Sequence, residues 1–176
     1  MIAATEYAIA RFGCTVTLCA TTDSLDFTPA PGWYELDAES AHAAMASRVL
    51  LRSATPTPRF VPNVAVQYFD LGQTDVIDLA EIDTGFDIGA LDSGRILTSD
   101  VRPDGNLSVD EGTYRADGEG LRVRRSQLAY LTPVGHSMLS IVTATTAVDD
   151  WDSTEFEIRD MEERWIRTTI PASGVR

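Results

Sequence analysis

The sequence predicts an α+β fold: a central antiparallel sheet flanked by helices, with the C-terminal helix packed on the sheet. Two observations carry this. From Phe60 onward apolar residues recur with period two, interrupted by turn signals rather than by long helices, as in a meander of antiparallel strands. The chain then closes with a stretch of period near four, Ile158, Met161 and Trp165, which describes one apolar stripe of a helix. Strands followed by a covering helix give a sheet protected on at least one face.

The elements follow in order. Met1 to about Ala10 is compatible with a short helix, and Thr15 to Leu18 with a strand. In Phe27-Thr28-Pro29-Ala30-Pro31-Gly32-Trp33 the prolines hold the chain extended, Gly32 permits a sharp bend and Trp33 opens a strand as a core anchor. Asp37 caps a short alanine-rich helix reaching about Met45. Val49 and Leu51 share one face of the next strand. In the strand from Phe60 to Asp70, Val64, Val66 and Tyr68 face one side and Ala65, Gln67 and Phe69 the other. Thr74 to Leu91 reads as a helix weakened by Gly85 and Gly89. Strands are predicted at Ile96 to Val101, at Tyr114 to Ala116 and Leu121 to Leu131 around the hairpin signal Asp117-Gly118, and at Met138 to Val148. The final helix spans Asp152 to Thr168, with Asp152 and Glu155 spaced as a capping box.

Composition narrows the function. A chain of 176 residues supports one core, with residues 1–26 as an N-terminal extension or first strand, 27–168 as the α+β domain and 169–176 as a tail. The net charge is −13 and every basic residue is an arginine, so the average field repels nucleic acid and anionic membrane surfaces. No apolar run is long enough for a membrane-spanning helix. The first residues lack a basic n-region and Arg11 interrupts the apolar stretch, so no signal peptide is read and the chain as written is cytoplasmic unless an export segment was removed or lies upstream. Cys14 and Cys19 are predicted to be free thiols, since odd spacing in a strand sends them to opposite faces.

The chemical motifs are sparse. Gly135-His136-Ser137-Met138-Leu139 lacks the second glycine of a nucleophile elbow, which argues against a hydrolase built on Ser137 and His136. Two cysteines and two histidines, with His42 read as a surface residue, lack zinc spacing. Asp104 to Glu111 departs from a calcium loop at its sixth and twelfth positions and reads as a polar turn; Asp149, Asp150 and Asp152 read as a solvated turn and helix cap. Arg115, Arg122, Arg124 and Arg125 form a basic strip. It is either a site for phosphate, sulfate or carboxylate, or a wet sheet face paired with neighbouring acids, the reading favoured. Trp33, Val64, Val66, Tyr68, Phe69, Phe86, Leu128, Tyr130, Ile141, Trp151 and Trp165 are assigned mostly to the core, with a lipid-sized cavity beside Trp33 or Tyr130 as the functional alternative.

The chain resembles the LpqN/LpqT family of actinobacterial lipoproteins, whose domain is PsbP-like. The resemblance is carried by Phe27 to Trp33, by Pro62-Asn63-Val64-Ala65-Val66, by the helix after that strand, by the strand Gln127 to Leu131 and by the closing helix near Trp165, and spans about Phe27 to Arg167. It implies a noncatalytic cell-envelope protein, without cofactor, that binds a lipid, a glycolipid or another amphiphile, or docks on a protein partner. Neither Cys14 nor Cys19 follows an apolar segment as a lipobox cysteine does. The candidate ligand-binding residues are Trp33, Tyr68, Tyr130, Arg115, Arg122 and Arg124; no catalytic or metal-binding residue is assigned. The alternative is an intracellular adaptor that binds another protein and has no small-molecule ligand.

Overall fold

The computed structural model describes residues 3–21 and 27–170. Its elements run α1 (Ala3–Phe12), β1 (Thr17–Cys19), β2 (Trp33–Glu35), α2 (Ala38–Ala43), β3 (Arg48–Arg52), β4 (Asn63–Asp70), α3 (Phe86–Gly89), β5 (Arg95–Val101), β6 (Leu107–Ala116), β7 (Glu119–Leu131), β8 (Ser137–Ala147) and α4 (Trp151–Thr169). The strands form one antiparallel sheet ordered β2-β3-β4-β8-β7-β6-β5, and β1 pairs with the far end of β4, continuing the row that β3 occupies. The predicted α+β class with its terminal helix on the sheet is what forms. No helix among the described residues is long and apolar enough to cross a membrane.

Strand parity assigns the two faces. Val64, Val66 and Tyr68 of β4, Val142 and Ala144 of β8 and Leu128 of β7 meet Trp151, Ile158, Met161 and Trp165 of α4 on one side, with Phe27, Ala30 and Trp33 at the same interface. Phe69 of β4, Leu139 and Ile141 of β8 and Ala129 of β7 face the other side, where Ala4 and Ala8 of α1 and the loop residues Leu71, Ile77 and Leu79 cover them. The first residues therefore do more than precede the domain: over 3–21 they supply a helix and a strand to the same packed unit. Residues 171–176, most of the predicted tail, lie outside the described residues.

Three expectations are corrected. No single helix runs from Thr74 to Leu91. Asp78 is extended (φ −85°, ψ 105°) and its carboxylate accepts the Ala80 N–H, which holds a 3-10 turn at Leu79–Glu81; after it only the four-residue α3 forms. Ile77 and Leu79, two residues apart, are both buried, a spacing that extended backbone satisfies and a helix does not. The polar turn predicted for Asp104 to Glu111 is shorter, because Leu107 is buried and its pairing with Leu128 starts β6 there. Helix α4 is entered through a 3-10 turn at Val148–Asp150, with Asp150 rather than Asp152 at its boundary and no side-chain cap. Burial of Trp151 draws the helix start inward, and the Ser153 and Thr154 hydroxyls donate to the Asp150 carbonyl.

At the hairpin between β6 and β7, Asp117 (φ 51°) and Gly118 (φ 80°) form a two-residue turn with both central residues left-handed, the geometry Asp-Gly favours. A tighter constraint lies at Gly112 of β6, where a Cβ would come within 2.6 Å of the Arg95 carbonyl oxygen and 2.5 Å of Ile88 Cγ2. Gly112→Ala is expected to destabilise the protein by about 1–3 kcal/mol through overpacking, measured by urea denaturation. An unchanged midpoint would mean that β5 and α3 yield freely.

Candidate functional site

The six residues singled out by the sequence all lie on the α4-facing side of the sheet, which is packed around Trp33, Tyr68 and Tyr130 and opens into a polar cleft of about 270 Å³ beside α4, lined by Arg124, Arg159 and Glu162 among others. Tyr68 is fully buried, and Trp33 is buried with its Nε1–H donating to Glu157 Oε2 at 2.8 Å. Tyr130 packs at the edge of the same cluster, where burial and then the neighbouring Tyr68 and Cys19 push its phenol far up.

Nor is the arginine strip a single surface. Arg115 is exposed at the end of the hairpin and donates to the Gly118 carbonyl. Arg122 donates to Glu111 Oε2 at 2.6 Å and lies over the Trp151 ring at 4.6 Å. Arg124 bridges two acids, Glu111 and Glu162, donating to the latter through Nε at 2.9 Å. Arg159 of α4 reaches Glu111 at 3.0 Å. Within the strip, Arg122 and Arg124 pair with acids, and that pairing is half-buried beneath α4 rather than on a wet face. Glu111 is only 6% exposed and gathers three guanidiniums. Burial alone would raise its pKa; the hydrogen bonds from Arg122 and Arg124 and the nearby charges hold it below the usual carboxylate range.

Arg125 has the opposite parity, and that separates it from the rest of the strip. It faces the α1 side, 8% exposed, with Nη2 3.0 Å from Asp87 Oδ2 of α3. It lines a groove of about 670 Å³ between α1, β4, α3 and the turn after α2. Phe69 lies in this groove, and four large apolar side chains around it are open to solvent: Ile9 at 40%, Met45 at 67%, Phe86 at 56% and Leu91 at 43%. Phe86 is thus a groove residue rather than part of the predicted core. Its exposure follows from the breakdown of the expected helix, since the four-residue α3 turns Ile88 inward and Phe86 out. The volume lies within the usual range for a small-ligand cleft. The alternation Leu121, Val123, Arg125 against Arg122, Arg124 was the signal in the sequence that could have isolated Arg125.

The remaining motifs stay structural. Ser137 is fully buried and its Oγ donates to the Asp75 carbonyl, while His136 Nδ1 lies 3.0 Å from Asp70 Oδ2. That hydrogen bond, against burial and with help from the Gly72 N–H, lowers the Asp70 pKa. His42 is exposed, and Cys14 and Cys19 are free thiols, as read from the sequence. Among the described residues no three His, Cys, Asp or Glu side chains gather into a metal-binding group.

No family model matches the chain, and neither does any curated protein sequence. Among solved structures, the fold is similar to that of LpqN, involved in cell envelope biogenesis of Mycobacterium tuberculosis, with a TM-score of 0.67 and 15% identity over 90% of this chain and 93% of that one. A weaker likeness, TM-score 0.46 and 12% identity over 84% of this chain and 94% of the other, is to PA94 of Pseudomonas aeruginosa. At such identities the likeness to LpqN establishes a shared α+β fold, and a distant structural relationship is what it supports.

Proposed function

We propose that this protein is a noncatalytic binding protein for an amphiphilic ligand, lipid or glycolipid in character, held in the groove between α1 and α3. The observation that carries this is the gathering of exposed Ile9, Met45, Phe86 and Leu91 around one concavity with an ion pair in its lining. Exposed apolar residues scattered singly need no explanation; grouped on a cleft they mark a contact site. A cleft with apolar walls and few polar groups suits a molecule that is itself apolar over most of its length. The reading moves the ligand from Trp33, Tyr68 and Tyr130, whose face is packed, to the opposite side of the sheet. The cell envelope as its place of action is supported by the resemblance to LpqN/LpqT proteins and by the role of LpqN in envelope biogenesis; recovery of the native protein wholly in the cytosolic fraction would remove that part.

The test is calorimetric titration with 1-monododecanoylglycerol below its critical micelle concentration. Measurable binding is expected, and Phe86→Asp with Leu91→Asp is expected to weaken it at least tenfold, since each apolar contact removed is worth on the order of 1.5–3 kcal/mol when fully buried. Both side chains are exposed, so thermal stability should hold. Absence of binding to the wild-type chain, or affinity indifferent to both charges, would defeat the proposal.

A further inference from the structure

The chemistry at Arg125 narrows the ligand class, an inference that rests on the amphiphile reading above. Arg125 is the only cation among the side chains lining the groove. Its Nε and Nη2 are buried and meet no hydrogen-bond acceptor; Nη2 touches Asp87 Oδ2 at 3.0 Å as an ionic contact without an aligned N–H. Buried donors are nearly always satisfied in folded proteins, and leaving them unmet is costly, so a guanidinium edge in this state calls for an oxygen acceptor. The fork of N–H groups matches a planar or tetrahedral oxyanion.

Two carboxylates stand near Arg125. Asp110 lies directly across the β6–β7 pair and is fully buried, with Oδ1 accepting from Ser99 Oγ at 2.6 Å. Burial pushes its pKa up, against the hydrogen bonds from Ser99 and Thr84 and the charge of Arg125. Asp87, in ionic contact at 3.0 Å, is the nearer counter-ion, and Asp110 adds to it. The Asp87 side chain is 19% exposed and rides on the four-residue α3, which also carries Phe86 of the groove rim.

We propose that the groove takes a single-chain amphiphile with an oxyanion head, a carboxylate or a phosphate monoester, which Arg125 binds in the place of Asp87 while the chain lies against Phe69, Phe86 and Leu91. Asp87 is an intramolecular stand-in for that head, compensating Arg125 until the ligand displaces it. A protein of net charge −13 opposes anions generally, so the preference falls on this one built cation.

The experiment titrates the full chain with dodecanoate, dodecyl phosphate and neutral 1-monododecanoylglycerol, each below its critical micelle concentration, at pH 8 and low salt. At least one anion is expected to bind about tenfold more tightly than the neutral mate, the scale of one charge-assisted hydrogen bond, and the preferred anion tells carboxylate from phosphate. Arg125→Gln is expected to erase that difference while keeping the neutral binding, which also shows that the variant is folded. Asp87→Asn is expected to tighten anion binding severalfold. Equal affinity for all three ligands in the wild-type chain would overturn the head-group inference and leave the apolar groove standing; no binding by any would overturn both. Should Arg125→Gln fail to fold, Asp87→Asn decides, and unchanged anion affinity there refutes the exchange.

Discussion

Replacing Trp165 with alanine is expected to lower the free energy of unfolding by about 3–5 kcal/mol, the range for deleting a fully buried tryptophan. Trp165 is 0% exposed at the centre of the α4 interface, among Tyr68, Val142, Met161 and their neighbours, and its Nε1–H donates to Ser140 Oγ at 3.1 Å. The truncation opens a cavity that a long helix spanning a twisted sheet has little freedom to close, and it removes the hydroxyl's indole partner. For a chain of this size the change corresponds to a fall in melting temperature of roughly 6–20 °C at about 2–4 °C per kcal/mol. A loss under 1 kcal/mol in urea denaturation would mean that α4 is not clamped as described.

Glu111→Ala should come next, at about 3 kcal/mol, by a different mechanism. Glu111 is the shared acceptor of Arg122, Arg124 and Arg159, and Arg124 is itself only 12% exposed. Removing the acid leaves Arg124 with Glu162 alone and strips the other two of a buried partner, the situation in which breaking a buried ion pair is most damaging. The more exposed Arg122 and Arg159 are screened and add little, which sets the figure at the low end of the range. The same residue fixes a pH dependence. Its pKa is lower in the folded chain than in the unfolded one, so the stabilisation is complete above the unfolded value, near 4.5, and is lost as pH falls through the lower folded value. Asp70, held down by His136, has the same sign. Stability measured from pH 6 downward should therefore decline in the acid range, and less steeply in Glu111→Ala; parallel curves for the two proteins would contradict the network.

The fold was legible where periodicity was strong. β4 shows its alternation openly, Val64, Val66 and Tyr68 against Ala65, Gln67 and Phe69, and both faces form as read. Asp117-Gly118 announced its own hairpin because few dipeptides accept two left-handed residues. The segment Thr74 to Leu91 was illegible because its apolar residues, Val76, Ile77, Leu79 and Ile82, fit a helix almost as well as an extended path; contact with Phe69 and Leu139 across the sheet, not local preference, decided. Resemblance and aromatic content directed attention to Trp33, Tyr68 and Tyr130, and that face turned out to be packed around Trp165.

The sequence alone determined the alternation that makes a sheet, the terminal helix that covers it, and a net charge of −13. These are properties of neighbours in the chain, set by period and composition. Which cation meets which acid was decided only in three dimensions: Arg124 and Arg125 are adjacent in sequence yet point to opposite faces, one neutralised under α4 and the other left with unmet donors beside an apolar groove. Parity fixes the direction in which a side chain leaves a strand, but what waits on that side is supplied by α1, α3 and α4, whose placement depends on packing between residues far apart in the chain.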